Sequence, residues 1–456
     1  MTPLETAVTE LADEVLARLR RAHPAARAIE VFVDQALSLE TAARGDRITR
    51  HEERLVGGVG VLVEDRDDLR RRFSTDGLSE RSIDALVGQQ SGSVEPPGSP
   101  DCLLPRPGLA ADALTVNRAA FADALEGARS PDGEVWSQAA HHHRVWAVAH
   151  SDGRRASGDW SGSELTVRCR AAGNARKVTG QHTIRTRTTT GAGAGLWDPT
   201  AAGQRAAQAL RHALDSGEWQ PGFLPVVFAP AAGGVFLHEV CGHVLEADVL
   251  ERGSVLRGRL GETVGPVSLT VVDDPLLPGG WGSYRHDHEG TPATRVTLLE
   301  QGRLTGCLTT RHTASWSSDR STGHARRSGH HHSPVPRMSN TYALAGTEPP
   351  EQILADTAGG LYVSSIGGAE VSPSTGAFSI SVREGFLIEN GRPGRPLSGV
   401  RVMGELLSAL RGIDRVGDDV GHGAVHCRKA GRWEPAGVGQ PTLRIKALAV
   451  VPGGAS

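Results

Sequence analysis

Leu4, Val8, Leu11, Val15 and Leu19 fall three or four residues apart, on one face of an α-helix, and predict an amphipathic helix running to about Ala22. Its start is marked too: Thr2-Pro3-Leu4-Glu5 is a capping box with Pro at the first helical position, which gives the free amide protons of the first turn acceptors. The period then shortens. β-Branched runs at Ile29 to Val33, Val59 to Val63, Val145 to Val148 and Leu165 to Val167 predict strands. Ser79 to Val87, Asn117 to Leu125 and Pro199 to about Ser216 return to a helical pattern. Residues 88–108 (GQQSGSVEPPGSPDCLLPRPG) are too rich in Gly, Pro and Ser for a regular element.

The pattern changes near Gly217 to Phe223. Downstream, short strands at Val226 to Phe228, Leu269 to Val272 and Phe378 to Val382 are punctuated by Gly and Pro, with helical pieces only around His238 and from Met403 to Leu410. The expected fold class is α+β with two domains. Residues 1–217 form a helix-richer N-terminal α/β domain, and residues 218–456 a strand-rich C-terminal domain that carries the helix around His238. No internal repeat or heptad run is present.

The length of 456 residues agrees with that division, at roughly 150 residues per domain as a prior. The 49 Lys+Arg against 52 Asp+Glu leave a net charge of −3, with no basic excess to neutralise phosphates, so nucleic acid is not expected as a partner. No stretch approaches the ~20 apolar residues of a membrane span, and the acidic start MTPLETAVTELADEV predicts no signal peptide. An odd count of five Cys then suggests reduced thiols and a cytoplasmic location. Cys102, Cys169 and Cys307 read as small buried residues. The 19 His exceed what charge balance requires and call for a chemical explanation.

That explanation starts at Gly234-Val235-Phe236-Leu237-His238-Glu239-Val240-Cys241-Gly242-His243-Val244-Leu245-Glu246. Two His with a Glu directly after the first suggest zinc hydrolysis, His binding metal and Glu acting as base. The spacing is five rather than four, so in a straight helix the two rings stand about 140° apart around the axis. A π-bulge would bring them together, and the backbone freedom of Gly242 would permit one. A buried helix with two incidental His would read similarly, and a catalytic zinc needs a third protein ligand. Glu246, Cys241, the His clusters and Cys427, in the loop-like stretch Gly423 to Cys427, are all candidates that composition cannot rank. His141-His142-His143 reads as a polar surface run, and Gly191 to Gly195 lacks the βαβ context of a phosphate cradle. No nucleophile-elbow sequence supports Ser/His/Asp chemistry.

HEVCGHVLEAD resembles the HExxxH signature of the TldD/PmbA family of zinc metallopeptidases, historically described as modulators of DNA gyrase. The resemblance continues through VVDDPLLPGGWGSYRHDHEGTPATRVTLLEQGRLTG and ARRSGHHHSPVPRMSNTYAL to Gly437-Val438-Gly439-Gln440-Pro441-Thr442-Leu443-Arg444, and more loosely around SLETAARGDRITRHEERLVGGVGVLV. It implies zinc held by His238, His243 and Cys427, the last falling where the family has a Cys shortly before its final signature. The PmbA (TldE) branch generally lacks the metal helix, so this chain resembles the catalytic TldD branch. Cys241, His426 and the run His286-Asp287-His288-Glu289 depart from the family pattern.

The resemblance implies a peptidase. Zinc would lower the pKa of a water from about 15.7 toward ~7, and Glu239 would accept its proton. His330, His331, His332, Arg337 and Tyr342 are candidates for binding substrate or the oxyanion. The implied substrates are unfolded or short peptides, held along an extended backbone by strand addition inside a dimer, either a homodimer or a pair with a PmbA/TldE-like subunit. Alternatives are a dedicated peptide or amide hydrolase of a secondary-metabolite or modified-peptide pathway, and a non-enzymatic gyrase adaptor. The adaptor would need no such set of residues.

Overall fold

A computed structural model describes residues 1–67, 70–88, 92–94, 104, 113–128, 134–172, 177–187, 198–230, 232, 234–316 and 320–453. Cys102, Gly191 to Gly195 and most of the 88–108 stretch lie outside them. The first helix, α1 (Pro3–Ala22), forms as its pattern predicts. The Glu5 amide donates to Thr2 Oγ1 at 3.1 Å and the Thr2 amide to Glu5 Oε2 at 2.6 Å, which completes the capping box.

The predicted strands are there but much longer than their β-branched runs. They are β1 (Ala28–Arg44), β2 (Arg47–Glu64), β3 (Arg70–Asp76), β4 (Gly92–Val94), β5 (Glu134–His150), β6 (Arg155–Ala172) and β7 (Lys177–Arg187). They pair in the order β4-β3-β2-β1-β5-β6-β7. Val31 and Val33 on β1 and Val145, Ala147 and Ala149 on β5 pack under α1. Helices α2 (Glu80–Val87), α3 (Ala113–Ala128) and α4 (Pro199–Leu214) complete this half. Ala124, Ala206 and Leu210 of the last two cover Leu165 and Val167. Alternate residues point the other way, toward the C-terminal half. The Phe32 and Trp146 rings stand 5.4 and 4.7 Å from that of His288, and Arg327 Nη2 donates to Glu30 Oε1 at 2.6 Å. Where both faces are covered, as over Ile29 to Gln35 of β1, there is no clean apolar–polar alternation, while Thr49 to Arg54 of β2 are exposed and polar, so only fragments of these strands were predictable.

This corrects one expectation. His141-His142-His143 is not a surface run but the middle of β5. His141 is buried between Ser163 Oγ (2.8 Å) and Asn117 Oδ1 (2.9 Å), and buried His143 meets Asp159 Oδ1 at 2.9 Å. Strand alternation turns His142 to the opposite face, 3.6 Å from Glu164.

The C-terminal half contributes β8 (Gly222–Phe228), β9 (Val271–Asp273), β10 (Val296–Glu300), β11 (Arg303–Leu304), β12 (Ala325–Arg326), β13 (Val335–Pro336), β14 (Asn340–Ala343) and β15 (Gly359–Val371). It continues with β16 (Ala377–Glu389), β17 (Arg392–Leu397), β18 (Val400–Glu405), β19 (Ile413–Val416), β20 (Gly421–Lys429), β21 (Arg432–Gln440) and β22 (Leu443–Pro452). One sheet runs β11-β10-β9-β14-β21-β20. In the other, β15-β8-β22-β18-β16 closes on itself because β16 also pairs with β15, making a barrel. The fold is therefore mixed α+β, with the long helices in the first half and the strand-rich barrel in the second. Met403 lies in β18 rather than in a helix, which begins only at Leu406. Cys169 and Cys307 are buried, and burial pushes both thiols up to about 11.

Where the halves meet, burial first, then Asp287 and Glu30, push the Glu289 carboxyl up to about 8. A folded-state value above the ordinary 4.5 means the native protein holds a proton that the unfolded chain releases. This group's contribution therefore falls as pH rises from about 4.5 to 8. Glu289→Gln keeps an acceptor for the Arg311 amide, now 2.8 Å from Glu289 Oε2, and removes the titration. Thermal or urea unfolding should show the variant gaining on the parent between pH 5 and 8, by on the order of 2 kcal/mol. An unchanged difference across that range would refute the assignment.

Candidate metal centre

The segment with two His is a helix made of three successive pieces. One α-turn, α5 (Gly234–Leu237), runs into a π-turn at His238–Gly242, then a 3₁₀ turn at His243–Leu245. The π-turn is the expected remedy for five-residue spacing. The rings of His238 and His243 come to 5.1 Å between centroids, nearly perpendicular at 85°. Gly242 serves a different purpose from the one expected. Its φ of −72° is open to any residue, but a Cβ there would stand 1.8 Å from Met338 Sδ. What glycine provides here is room for the Met338 side chain, not backbone freedom.

Cys427 arrives from far along the chain, on the strand β20 rather than in a loop. Its Sγ lies 3.3 Å from His243 Nε2, and the donor atoms of His238, His243 and Cys427 all lie within 4.8 Å of one another. Burial alone would raise the Cys427 thiol, but His243 and His238 hold it well below the ordinary thiol range. Glu239, next to His238, is 9 % exposed, and burial raises its carboxyl despite the two histidines. Cys241 is buried outside the group, its thiol pushed up to about 12.

Behind the three donors stands a charged support, in which Glu246 and Arg337, expected as a candidate ligand and a candidate substrate residue, are joined by Lys429, which the sequence reading missed. Glu246 Oε2 is 3.4 Å from His243 Nδ1 and 2.7 Å from Lys429 Nζ, which also reaches Asp248 Oδ1 at 2.6 Å. Lys429 follows Cys427 by two residues, so both side chains leave β20 on one face. That spacing was the available signal, and it was lost when the segment was read as a loop. Arg337 also acts here as support: its Nη2 donates to the Cys427 carbonyl at 2.8 Å, and its Nε lies 3.9 Å from Glu246 Oε1.

The remaining predicted residues have their partners elsewhere. The Tyr342 hydroxyl is 3.3 Å from Asp274 Oδ2 and its ring rests on His422. His330 is bound to Asp34 and Asp76 of the first sheet, and His331 to Asp76. His330, His331 and His332 line a cavity of about 1050 Å³ between the two halves, to which none of His238, Glu239, His243 and Cys427 contributes.

The donor set fits a zinc ion. Two imidazoles and a thiolate are its preferred ligands, and a carboxylate behind a ligand histidine fixes the ring. His238 Nδ1 is buried without a hydrogen-bond partner among the described residues, a cost that coordination would relieve or that a second partner would have to meet.

Residues 221–452 match the profile described as "PmbA/TldA metallopeptidase C-terminal domain". The chain belongs to the PmbA/TldD family. It is 36% identical over 234 residues to the "Metalloprotease TldD homolog" of Haemophilus influenzae, covering 50% of this chain and 48% of that one. It is 31% identical over 230 residues to the "Zinc metalloprotease TldD homolog" of Saccharolobus solfataricus, covering 50% and 52%. The chain thus spans about half the length of the curated relatives it matches. Its fold is similar to that of TldE from Thermococcus kodakarensis, with a TM-score of 0.75 at 16% identity, covering 96% of this chain and 100% of the other.

Proposed function

We propose that this chain is a zinc-dependent peptidase in which His238, His243 and Cys427 hold the metal and Glu239 is the general base. The supporting observation is that three soft or borderline donors, one from the π-turn, one from the 3₁₀ turn after it and one from β20, meet within 4.8 Å beside a buried carboxylate. The zinc homologue's name points the same way. When bound, zinc would polarise a peptide carbonyl and acidify water. Glu239 takes the proton of the attacking water and returns it to the leaving amine, the exchange its raised proton affinity favours. Glu246 and Lys429 keep His243 turned toward Cys427, and Arg337 anchors the backbone of that strand.

The substrate we propose is an extended peptide, read by backbone rather than by sequence. Among the described residues β20 is the end strand of its sheet, and it carries Cys427. An added strand would lie beside the thiolate and hydrogen-bond along this edge, where the Ala424 carbonyl now accepts Arg185 Nη1 at 3.0 Å. The likeness in fold to TldE supports a paired assembly, with a TldE-like chain or with a second copy of this one.

The test is metal content and cleavage of unstructured peptides by the purified chain, alone and with such a partner. One zinc per chain that Cys427→Ala removes, together with chelator-sensitive hydrolysis, is the expected result. Cleavage that survives both chelation and Cys427→Ala would overturn the reading.

A further inference from the structure

The first sheet contains a row of three residues in register: Asp34 on β1 faces Gly58 on β2, which faces Asp76 on β3. Adjacent strands lie about 4.8 Å apart, so two carboxylates flank a glycine across roughly 10 Å. His330 fills that gap. A Cβ on Gly58 would stand 2.3 Å from His330 Nε2, and one on Gly60 would stand 2.1 Å from the His330 carbonyl oxygen. The imidazole lies between the two acids, Nδ1 2.8 Å from Asp34 Oδ1 and Nε2 2.9 Å from Asp76 Oδ1. His331 adds a second ring nitrogen at the same point, Nε2 2.6 Å from the same Asp76 oxygen, with its Nδ1 3.3 Å from Ser74 Oγ.

One ligand atom each from Asp76, His330 and His331 lie within 4.8 Å of one another, close enough to share a cation. Asp34 accepts the Nδ1 proton of His330, which in a neutral ring leaves the Nε2 lone pair facing an oxygen of Asp76. The 2.9 Å contact is made by a proton on Nε2, which the two carboxylates favour, and a metal ion bound there would take that proton's place. Two imidazole nitrogens and a carboxylate oxygen, each ring backed by its own partner, make a first-row divalent metal site with a carboxylate behind one ligand. His330 is 1% exposed at its side chain, whereas Asp76 and His331 are 50% and 41% exposed, so an ion has a route in from solvent.

We propose that Asp76, His330 and His331 form a second metal site, for Zn²⁺ or a similar divalent transition ion, that pins the C-terminal segment to the first sheet at the rim of the large cavity. Entry of an ion with ligands at about 2.0–2.2 Å separates the present donors by roughly half an ångström to one ångström, a shift the half-exposed Asp76 side chain can make. The site is independent of the peptidase centre and joins residues from the two halves of the chain.

The experiment is Co²⁺ titration of the full chain carrying Cys427→Ala, followed by visible absorption, with thermal unfolding in parallel. One equivalent should bind at micromolar Co²⁺, giving d–d bands without thiolate charge transfer and a raised Tm. Adding Asp76→Asn or His331→Ala should abolish both signals, and circular dichroism checks that each variant is folded. His331→Gln replaces any variant that is not. No binding in the Cys427→Ala chain, or binding unchanged by these substitutions, overturns the proposal. Thiolate charge transfer in the unsubstituted chain reports the other centre separately, so either site can fail without the other.

Discussion

Glu239→Gln should keep its zinc and lose peptide hydrolysis by roughly 10²–10⁴-fold in kcat/KM, the range a positioned acid–base group contributes. Glutamine has the same shape and still accepts a hydrogen bond, but it cannot take a proton. The donor atoms that meet within 4.8 Å belong to His238, His243 and Cys427, so metal content should not change. The loss should fall on kcat rather than KM, since a base acts in the transition state and not in peptide binding. Zinc analysis and steady-state kinetics on one preparation decide it. Retained hydrolysis removes Glu239 from the mechanism, whereas lost zinc would make it a ligand.

How far the sequence reached depended on whether the interaction was local. The helix α1 was legible end to end, because its cap and its apolar stripe lie within a few residues of each other. The π-turn was legible for the same reason: a five-residue separation of His238 and His243 has few geometric remedies. Cys427 was reached through family resemblance, and its setting on a strand was not visible. Gly421 to Lys429 mixes Gly, Ala, His and Lys without a β-branched run, and its pairing with β21 supplies the order instead. Tertiary pairing overrides weak local preference in such segments. The same override hid His141 and His143, whose polar run is satisfied by Ser163, Asn117 and Asp159 from other elements. The row Asp34–Gly58–Asp76 could not be read at all, since it exists only once three strands take their register.

Asp273→Ala should destabilise the protein by about 3–5 kcal/mol, the cost of removing one member of a buried charged network. Asp273 is fully buried at the end of β9 and pairs in register with Thr341 of β14. One oxygen receives His324 Nε2 at 3.0 Å, the Ser339 amide at 3.0 Å and the Ser339 hydroxyl; the other takes the Thr341 hydroxyl at 2.6 Å. Burial alone would raise this carboxyl, and His324, Ser339 and Thr341 more than offset it. The network ties the VVDD stretch to RMSNTY, two blocks recognisable in the sequence as separate strings. Through Asn340 and Gly437 it also reaches the strand that pairs with β20 and so with Cys427. Alanine leaves three donors and a buried imidazole without their acceptor, whereas Asp273→Asn preserves the shape and should cost less. Urea unfolding of the two variants, with zinc content measured beside it, tests both halves of the claim. A loss under about 1 kcal/mol for Asp273→Ala would mean that β9 and β14 are held by their ladder alone.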